Sequence, residues 1–506
     1  MTDRPNPPGP STDPRPAGLP SGGVPPGGPL SEIPARRGFF VNVGSLVFAR
    51  GFLAVSQVLV LPIVARYLTI EEFGLMALAM TVVIFASSLS DAGLGRSLIR
   101  SRGMDLEEWS SVFWLLVGVG IGLALLVLAL APLWAWFFDQ PELWLIVSVL
   151  AVVPLFQAIS AAPNAEIERR EHYTALARLQ MLAAAAGMVI AVGLAVAGAG
   201  VWALVAQQIL LAAIRLAGVA RLSQFRPRLV FRLRRLAGHL RFARDAVWIS
   251  LISVAQVEAA TVAIGKLLGE APLGVFAMSR RFTRLPQFGL VGPFSSVVYV
   301  RMAKAQDDPE QLVAIYLASI RLLAAALIPP LALVAAAGSA VFVFLLSEDW
   351  AGVAPVFALA VPGIVLEAVT ITCLACLFRA TGRTELQVRL RLEGALVQIA
   401  LVTLAAFHSL EAVAASLTLW ALYFVPRGWA LARRIVPLGW GACLGAIARP
   451  VAMATAASAA HLAFRPMLPP GALPEIVLAI VLAIAALGAM AALDWRRLRA
   501  AVALFR

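Results

Sequence analysis

Residues 66–102, RYLTIEEFGLMALAMTVVIFASSLSDAGLGRSLIRSR, carry the pattern that decides the fold. The run over 73–95 is mostly apolar and its only charged residue is Asp91. At 1.5 Å of rise per residue it is long enough to cross a hydrocarbon core of ~30 Å as a helix. Arg96, Arg100 and Arg102 follow it at once. An apolar span ending in arginines predicts a transmembrane helix whose C-terminal end lies in the cytoplasm, because positive loops are retained on that side.

The same alternation runs along the chain. Apolar stretches near 39–65, 73–95, 111–137, 143–163, 174–198 and 201–221 form one set, and those near 243–265, 273–300, 312–345, 352–378, 386–406 and 411–430 a second. Two more lie near 440–462 and 472–493, so about fourteen spans are predicted. Arginines fill every second connection. The segment after the sixth span is the most basic, with Arg221, Arg226, Arg228, Arg232, Arg234, Arg235, Arg241 and Arg244. The intervening connections hold only Arg66, Lys266 and Arg465, beside Asp139, Glu142, Glu348, Asp349 and Glu411. Both termini are therefore expected in the cytoplasm.

A weak internal repeat divides these spans. RYLTIEEFGLMALAM at 66–80 aligns with KLLGEAPLGVFAMSR at 266–280, pairing Arg66 with Lys266 and Gly74 with Gly274. Equal span counts on either side of the basic connection add to it. The fold class expected is an all-α polytopic membrane protein of two six-helix lobes around a central cavity, plus two C-terminal helices. The predicted divisions are a Pro/Gly-rich disordered tail over 1–37, a first lobe over 38–222, a basic linker over 223–242, a second lobe over 243–436, and the added helices over 437–506.

Composition agrees with a membrane protein. The chain is 61% hydrophobic, with 41 Lys and Arg against 28 Asp and Glu, a net charge of +13. Its mean hydropathy is +0.87. The basic residues sit beside spans, where anionic lipid and loop retention account for them without nucleic acid. Three cysteines exclude a disulfide framework, and Cys373 and Cys376 fall in an apolar helix as core residues. The tail lacks the apolar core of a cleavable signal peptide. Gly118 and Gly122 in GVGIG have no preceding strand and read as helix-packing glycines. Four scattered histidines show no metal-ligand spacing, and no extramembrane segment is long enough for a catalytic domain. Neither enzyme activity, a metal nor a cofactor is expected.

Function is sought in the polar residues that break the spans. Arg50 lies about eleven residues into the first span, close to mid-bilayer, with Gln57 on the same face. Arg280, Arg281 and Arg284 sit in AMSRRFTRLPQFGLVGP of the eighth span, between Pro286, Pro293 and the start of that span. Arg280, Arg284 and Gln287 share one stripe. Arg321 lies inside the ninth span. An arginine stem reaches only a few ångströms, so groups at this depth must face a cavity or an ion-pair partner. Asp91, Glu258 and Glu367 are the available partners, with Gln256 a further polar residue in the seventh span. Several guanidinium groups in one cavity suit a phosphate, which accepts bidentate hydrogen bonds from the planar fork. Glu258 and Glu367 either neutralise arginines or take part in coupling to H+ or Na+.

Several stretches resemble a known family. YLTIEEFGLMALAM, SLSDAGLGRSLIRS at 88–101, DLEEWSSVFWL at 105–115, AEIERREHYTALARLQ at 165–180 and GAGVWALVAQQ at 198–208 are similar to polysaccharide-biosynthesis flippases of the Wzx type. LLSEDWAGVAPVFALAVPG at 345–363 and RATGRTELQVR at 379–389 extend the resemblance. It implies the multidrug/oligosaccharidyl-lipid/polysaccharide transporter superfamily, with two six-helix bundles around a cavity. It also implies a substrate, an oligosaccharide on undecaprenyl pyrophosphate moved across the bacterial inner membrane for exopolysaccharide, capsule or O-antigen (lipopolysaccharide) assembly. A polymerase and glycosyltransferases would be the associated proteins. On that reading Arg50, Arg280, Arg281, Arg284 and Arg321 hold the pyrophosphate. Alternatives are a drug or metabolite antiporter of the same superfamily, a membrane polysaccharide polymerase or ligase, and a non-transporting scaffold.

Overall fold

The computed structural model describes residues 60–505, except 92 and 101–104. Of the expected first span, 39–65, only the last turn from Val60 is described; Arg50 and Gln57 lie outside the described residues, as does the tail. The described chain is helical, with no strand among the described residues. Its first part comprises α1 (Ile70–Ser90), the short α2 (Leu94–Arg100), α3 (Leu106–Phe138), α4 (Glu142–Leu150), α5 (Val152–Arg169), α6 (Tyr173–Val196) and α7 (Trp202–Leu222). The second part comprises α8 (Leu233–Leu267), α9 (Glu270–Pro286), α10 (Gly292–Lys304), α11 (Pro309–Ala336), α12 (Gly338–Leu345), α13 (Val353–Leu366), α14 (Thr372–Ala380), α15 (Thr384–Ala406) and α16 (Leu410–Ala432). α17 (Trp440–Phe464), α18 (Ala472–Leu493) and α19 (Trp495–Ala503) follow.

Among the described residues, ten helical segments are long and apolar enough to cross a membrane by length and composition. The chain is a multi-pass membrane protein. Helices also occupy the expected eighth, eleventh and twelfth spans, as α9–α10, α15 and α16, but fall outside those ten. Two expected spans are not plain α-helix. π-helical turns at Gln287–Val291 and Glu367–Ile371 join α9 to α10 and α13 to α14. The first lies between Pro286 and Pro293, neither of which has an N–H for the regular ladder. The basic connection expected over 223–242 is extended only to Arg232; α8 has begun by Leu233. No proline or run of glycine in 233–242 stops the helix there.

The non-helical part of that connection is pinned rather than loose. Ser110 Oγ accepts from the Arg228 N–H at 2.9 Å and Ser111 Oγ from the Arg232 N–H at 3.0 Å. Trp114 Nε1 donates to the Arg228 carbonyl, 2.8 Å away. Both serines are buried at the start of α3, so these bonds satisfy linker and helix together.

The repeat seen in sequence becomes a contact. α1 and α9 pack backbone to backbone through Gly74 and Gly274. A Cβ on Gly74 would lie 2.0 Å from the Glu270 carbonyl oxygen, and a Cβ on Gly274 would lie 2.0 Å from that of Ile70. The exchange is reciprocal, as a local two-fold between the repeats requires. Nearby, the aligned cations cross to the other half. Arg66 donates to the Phe344 and Leu346 carbonyls at the end of α12, at 3.2 and 3.3 Å. Lys266 donates to the Phe137 carbonyl at the end of α3, at 2.6 Å, and lies 3.3 Å from Asp139. Each charge meets the negative end of a helix.

One apolar core runs through both parts, from Val64 to Ile447. Trp350, 1% exposed, helps join them: Nε1 donates to the Ala65 carbonyl at 3.0 Å, and its ring stands edge-on to Phe73 at 5.1 Å. The packing expected of the glycine pair in α3 falls instead on the single glycine midway between them. A Cβ at Gly118 or Gly122 would meet nothing within 4 Å, whereas one at Gly120 would meet the Ala158 Cβ at 2.8 Å. Gly120, two residues from each neighbour, turns onto a different face of the helix.

Candidate functional site

The buried charge lies where α1, α8 and α9 meet. Glu258, 2% exposed, comes from α8 and receives Arg280 Nη2 from α9 at 3.1 Å. Arg280 Nη1 also donates to the Val257 carbonyl at 3.0 Å and to Thr261 Oγ1 at 3.4 Å. Thr261 donates to Glu258 Oε2 at 2.9 Å, and Thr81 of α1 donates to the same oxygen at 3.3 Å. One carboxylate thus ties the first part of the chain to the second. Of the two settings expected for position 280, a cavity or an ion-pair partner, Arg280 takes the second, with Glu258 as the partner. Arg280 and Glu258 lie on packed neighbouring helices, and neither could stay charged there alone at low cost.

The next arginines are different. Arg281 carries no ion pair or hydrogen bond among the described residues; its guanidinium lies 5.3 Å from the centre of the Phe73 ring of α1. Arg284, three residues on, is likewise unpaired among them. Positions 281 and 284 are neighbours on one helix face, so two uncompensated cations stand together. In the middle of a bilayer each would cost about 2.5–3.5 kcal/mol without a partner or water.

The remaining expected residues are dispersed. Arg321 lines a narrow cleft with Arg449, Asp494 and Arg497, against the helices that follow residue 437, rather than joining Arg281. Gln256 Nε2 donates to Gln398 Oε1 at 2.7 Å and binds α8 to α15. Glu367 opens the second π-helical turn and has no ion pair or hydrogen bond from its carboxylate among the described residues. Gln287 opens the first such turn, and its side chain lies outside the described residues.

Asp91 belongs to a separate polar cavity of 430 Å³, within the first part of the chain. It caps the end of α1 and accepts the Gly95 N–H at 2.8 Å. Gln157, Ser160, Asn164 and Glu168 of α5 and Gln208 and Arg215 of α7 complete the polar wall. The sequence holds a local signal for this wall: Gln157, Ser160, Asn164 and Glu168 follow i, i+3, i+7, i+11 spacing along one helix face. A second cluster also escaped sequence reasoning. Glu393 accepts Arg427 Nε at 2.7 Å and Arg389 Nε at 2.8 Å, tying α15 to α16. Among the described residues no group of acidic, histidine or cysteine side chains could hold a metal ion.

Comparison with known proteins places this architecture. The chain is 27% identical over 318 residues to the succinoglycan biosynthesis transport protein ExoT of Rhizobium meliloti, covering 63% of this chain and 64% of that protein. It is 25% identical over 260 residues to the lipopolysaccharide biosynthesis protein WzxC of Escherichia coli, covering 49% and 51%. The alignments thus span less than two thirds of those relatives' length. Among solved structures, the lipid II flippase MurJ in an inward closed conformation shares the fold, with TM-score 0.69 at 12% identity, over 92% of this chain and 99% of that one. Residues 63–355 match the model of the polysaccharide biosynthesis protein family, and the chain belongs to that family.

Proposed function

We propose that this protein is a flippase that carries a polyprenyl-pyrophosphate-linked oligosaccharide from the cytoplasmic to the periplasmic leaflet of the bacterial inner membrane. The observation that carries the reading is the pair Arg281 and Arg284, two guanidinium groups on one face of α9 with no ion pair among the described residues, the first of them against α1. A pyrophosphate offers what they lack: dispersed negative charge on oxygens that accept the planar fork. Arg280 positions them by anchoring α9 to Glu258. The similarity to a transport protein for succinoglycan and to a lipopolysaccharide biosynthesis protein supports a lipid-linked glycan as the substrate class.

The transport cycle we propose is alternating access between the two repeats. The glycan head enters from the cytoplasm while the polyprenyl chain stays in lipid. The phosphates engage Arg281 and Arg284, the repeats rock, and the head leaves outward. The alternation of basic connections supports cytoplasmic termini. On that orientation the Gly74–Gly274 crossing and the Arg66 and Lys266 contacts close the outer side. Glu367, free of an ion pair among the described residues, is the carboxylate available to couple transport to a proton or sodium gradient. A polymerase would consume the product, and glycosyltransferases would supply the substrate.

Complementation of a deletion strain tests this. Arg281→Ala combined with Arg284→Ala should abolish polymer export while the protein remains in the membrane at normal amounts. Export at the wild-type level by that variant would remove the assignment.

A further inference from the structure

We infer that the 430 Å³ cavity walled by α1, α2, α5 and α7 is a saccharide subsite that holds part of the glycan head during transport. The inference rests on the flippase reading and names the part of the substrate that the arginines of α9 do not recognise.

The chemistry of the wall decides the ligand class. A site for a bare cation would concentrate carboxylates, but Arg215 lines the same space as Asp91 and Glu168. A site for an anion would concentrate cations, and the two carboxylates oppose that. What remains is a mixed wall of acceptors and donors, the complement of a hydroxylated ligand whose every O–H both donates and accepts. The groups are also available. Gln157, Gln208 and Arg215 make no hydrogen bond or ion pair from their side chains among the described residues. Ser87 Oγ is buried at the same wall and has no hydrogen-bond partner among the described residues. A buried polar atom without a partner carries a desolvation penalty, which a ligand hydroxyl would remove.

The wall is organised in advance. Asn164 Nδ2 donates to Glu168 Oε1 at 2.6 Å, holding that carboxylate and leaving Oε2 open. Gly95 N–H holds Asp91 Oδ1 in the same way. The volume lies within the range of ~300–1,000 Å³ for small-molecule sites, enough for a sugar unit. The cavity runs along α5 and lies toward the C-terminal ends of α1 and α7, which the charge pattern assigns to the cytoplasmic side, where the loaded lipid would arrive.

The test measures binding to the full-length protein in nanodiscs with two probes: undecaprenyl pyrophosphate alone, and the lipid-linked oligosaccharide extracted from the host membranes. Wild type should bind the glycan-bearing lipid more tightly. Gln157→Leu combined with Gln208→Leu should weaken that lipid by about tenfold, to the affinity of the bare lipid. Retained binding of the bare lipid reports that the variant is folded. Arg281→Ala with Arg284→Ala should weaken both probes. If wild type binds the two probes equally, or if the glutamine variant loses both alike or neither, the subsite is overturned while phosphate recognition stands. If wild type binds neither probe, the flippase reading falls and the subsite with it.

Discussion

At the scale of single residues, the arginines of α9 divide into roles that sequence alone could not separate. All three lie within five positions, and each was expected to meet a phosphate. Their partners depend on which face of α9 meets α8, a tertiary fact absent from local spacing. Arg280 falls against Glu258, whereas Arg281 falls toward Phe73. Removing one member of the pair should therefore act on stability before transport. Glu258→Ala leaves Arg280 uncompensated and should lower the thermal midpoint of the detergent-solubilised protein, by an amount equivalent to about 3 kcal/mol. Glu258→Ala joined to Arg280→Leu should recover part of that loss, as calorimetry or a tryptophan-fluorescence melt would show. Arg281→Ala should leave the melt within about 0.5 kcal/mol of wild type, because the group makes no hydrogen bond or ion pair among the described residues.

At the scale of elements, the recurrent motifs prove to be helix ends and crossings. In YLTIEEFG, Thr69 and Glu72 form a capping box, with the Glu72 carboxylate accepting the Thr69 N–H at 2.8 Å. Two residues later Gly74 admits the backbone of α9. GAGVWAL supplies Gly200, at φ +57°, where a Cβ would meet Glu72 Oε1 at 2.1 Å, so the second motif closes over the cap of the first. LLSEDWAG supplies Trp350 against Ala65 and Phe73. The positions of these elements were legible because apolar length and capping are local signals. Their joining was not, apart from the 66/266 and 74/274 alignment. The misassigned packing at Gly118 and Gly122 has the same origin: a glycine spacing does not say which face a neighbour covers. Gly74→Ala and Gly274→Ala should each destabilise the closed crossing by about 1–3 kcal/mol, measured by thermal melting. Gly118→Ala, where a Cβ meets nothing within 4 Å, should not destabilise it.

At the scale of the whole molecule, the two repeats are held by a few reciprocal contacts around a shared apolar core. The Gly74–Gly274 crossing, the Arg66 and Lys266 contacts with helix ends, and the Thr81–Glu258 hydrogen bond all join the first part of the chain to the second. Alternating access requires that the outer set separate while the core of each repeat persists. Arg66→Ala with Lys266→Ala removes two such contacts without touching the proposed phosphate site. It should shift the population toward the outward-open state, read as a several-fold rise in labelling, from the periplasmic side, of a single cysteine introduced at Ala77 in a cysteine-free background. Unchanged labelling would show that these cations do not hold the closure. Topology belongs to the same scale: cysteines at Ser347 and Arg228 should label from opposite sides of the membrane, as the alternation of basic connections requires. The most direct measurement is translocation by the purified protein in liposomes, using the host's lipid-linked oligosaccharide and an external glycosidase to report the exposed fraction. Wild type should move the glycan between leaflets, and the Arg281→Ala/Arg284→Ala protein should not; movement at equal rates by both, or by neither, would contradict the account.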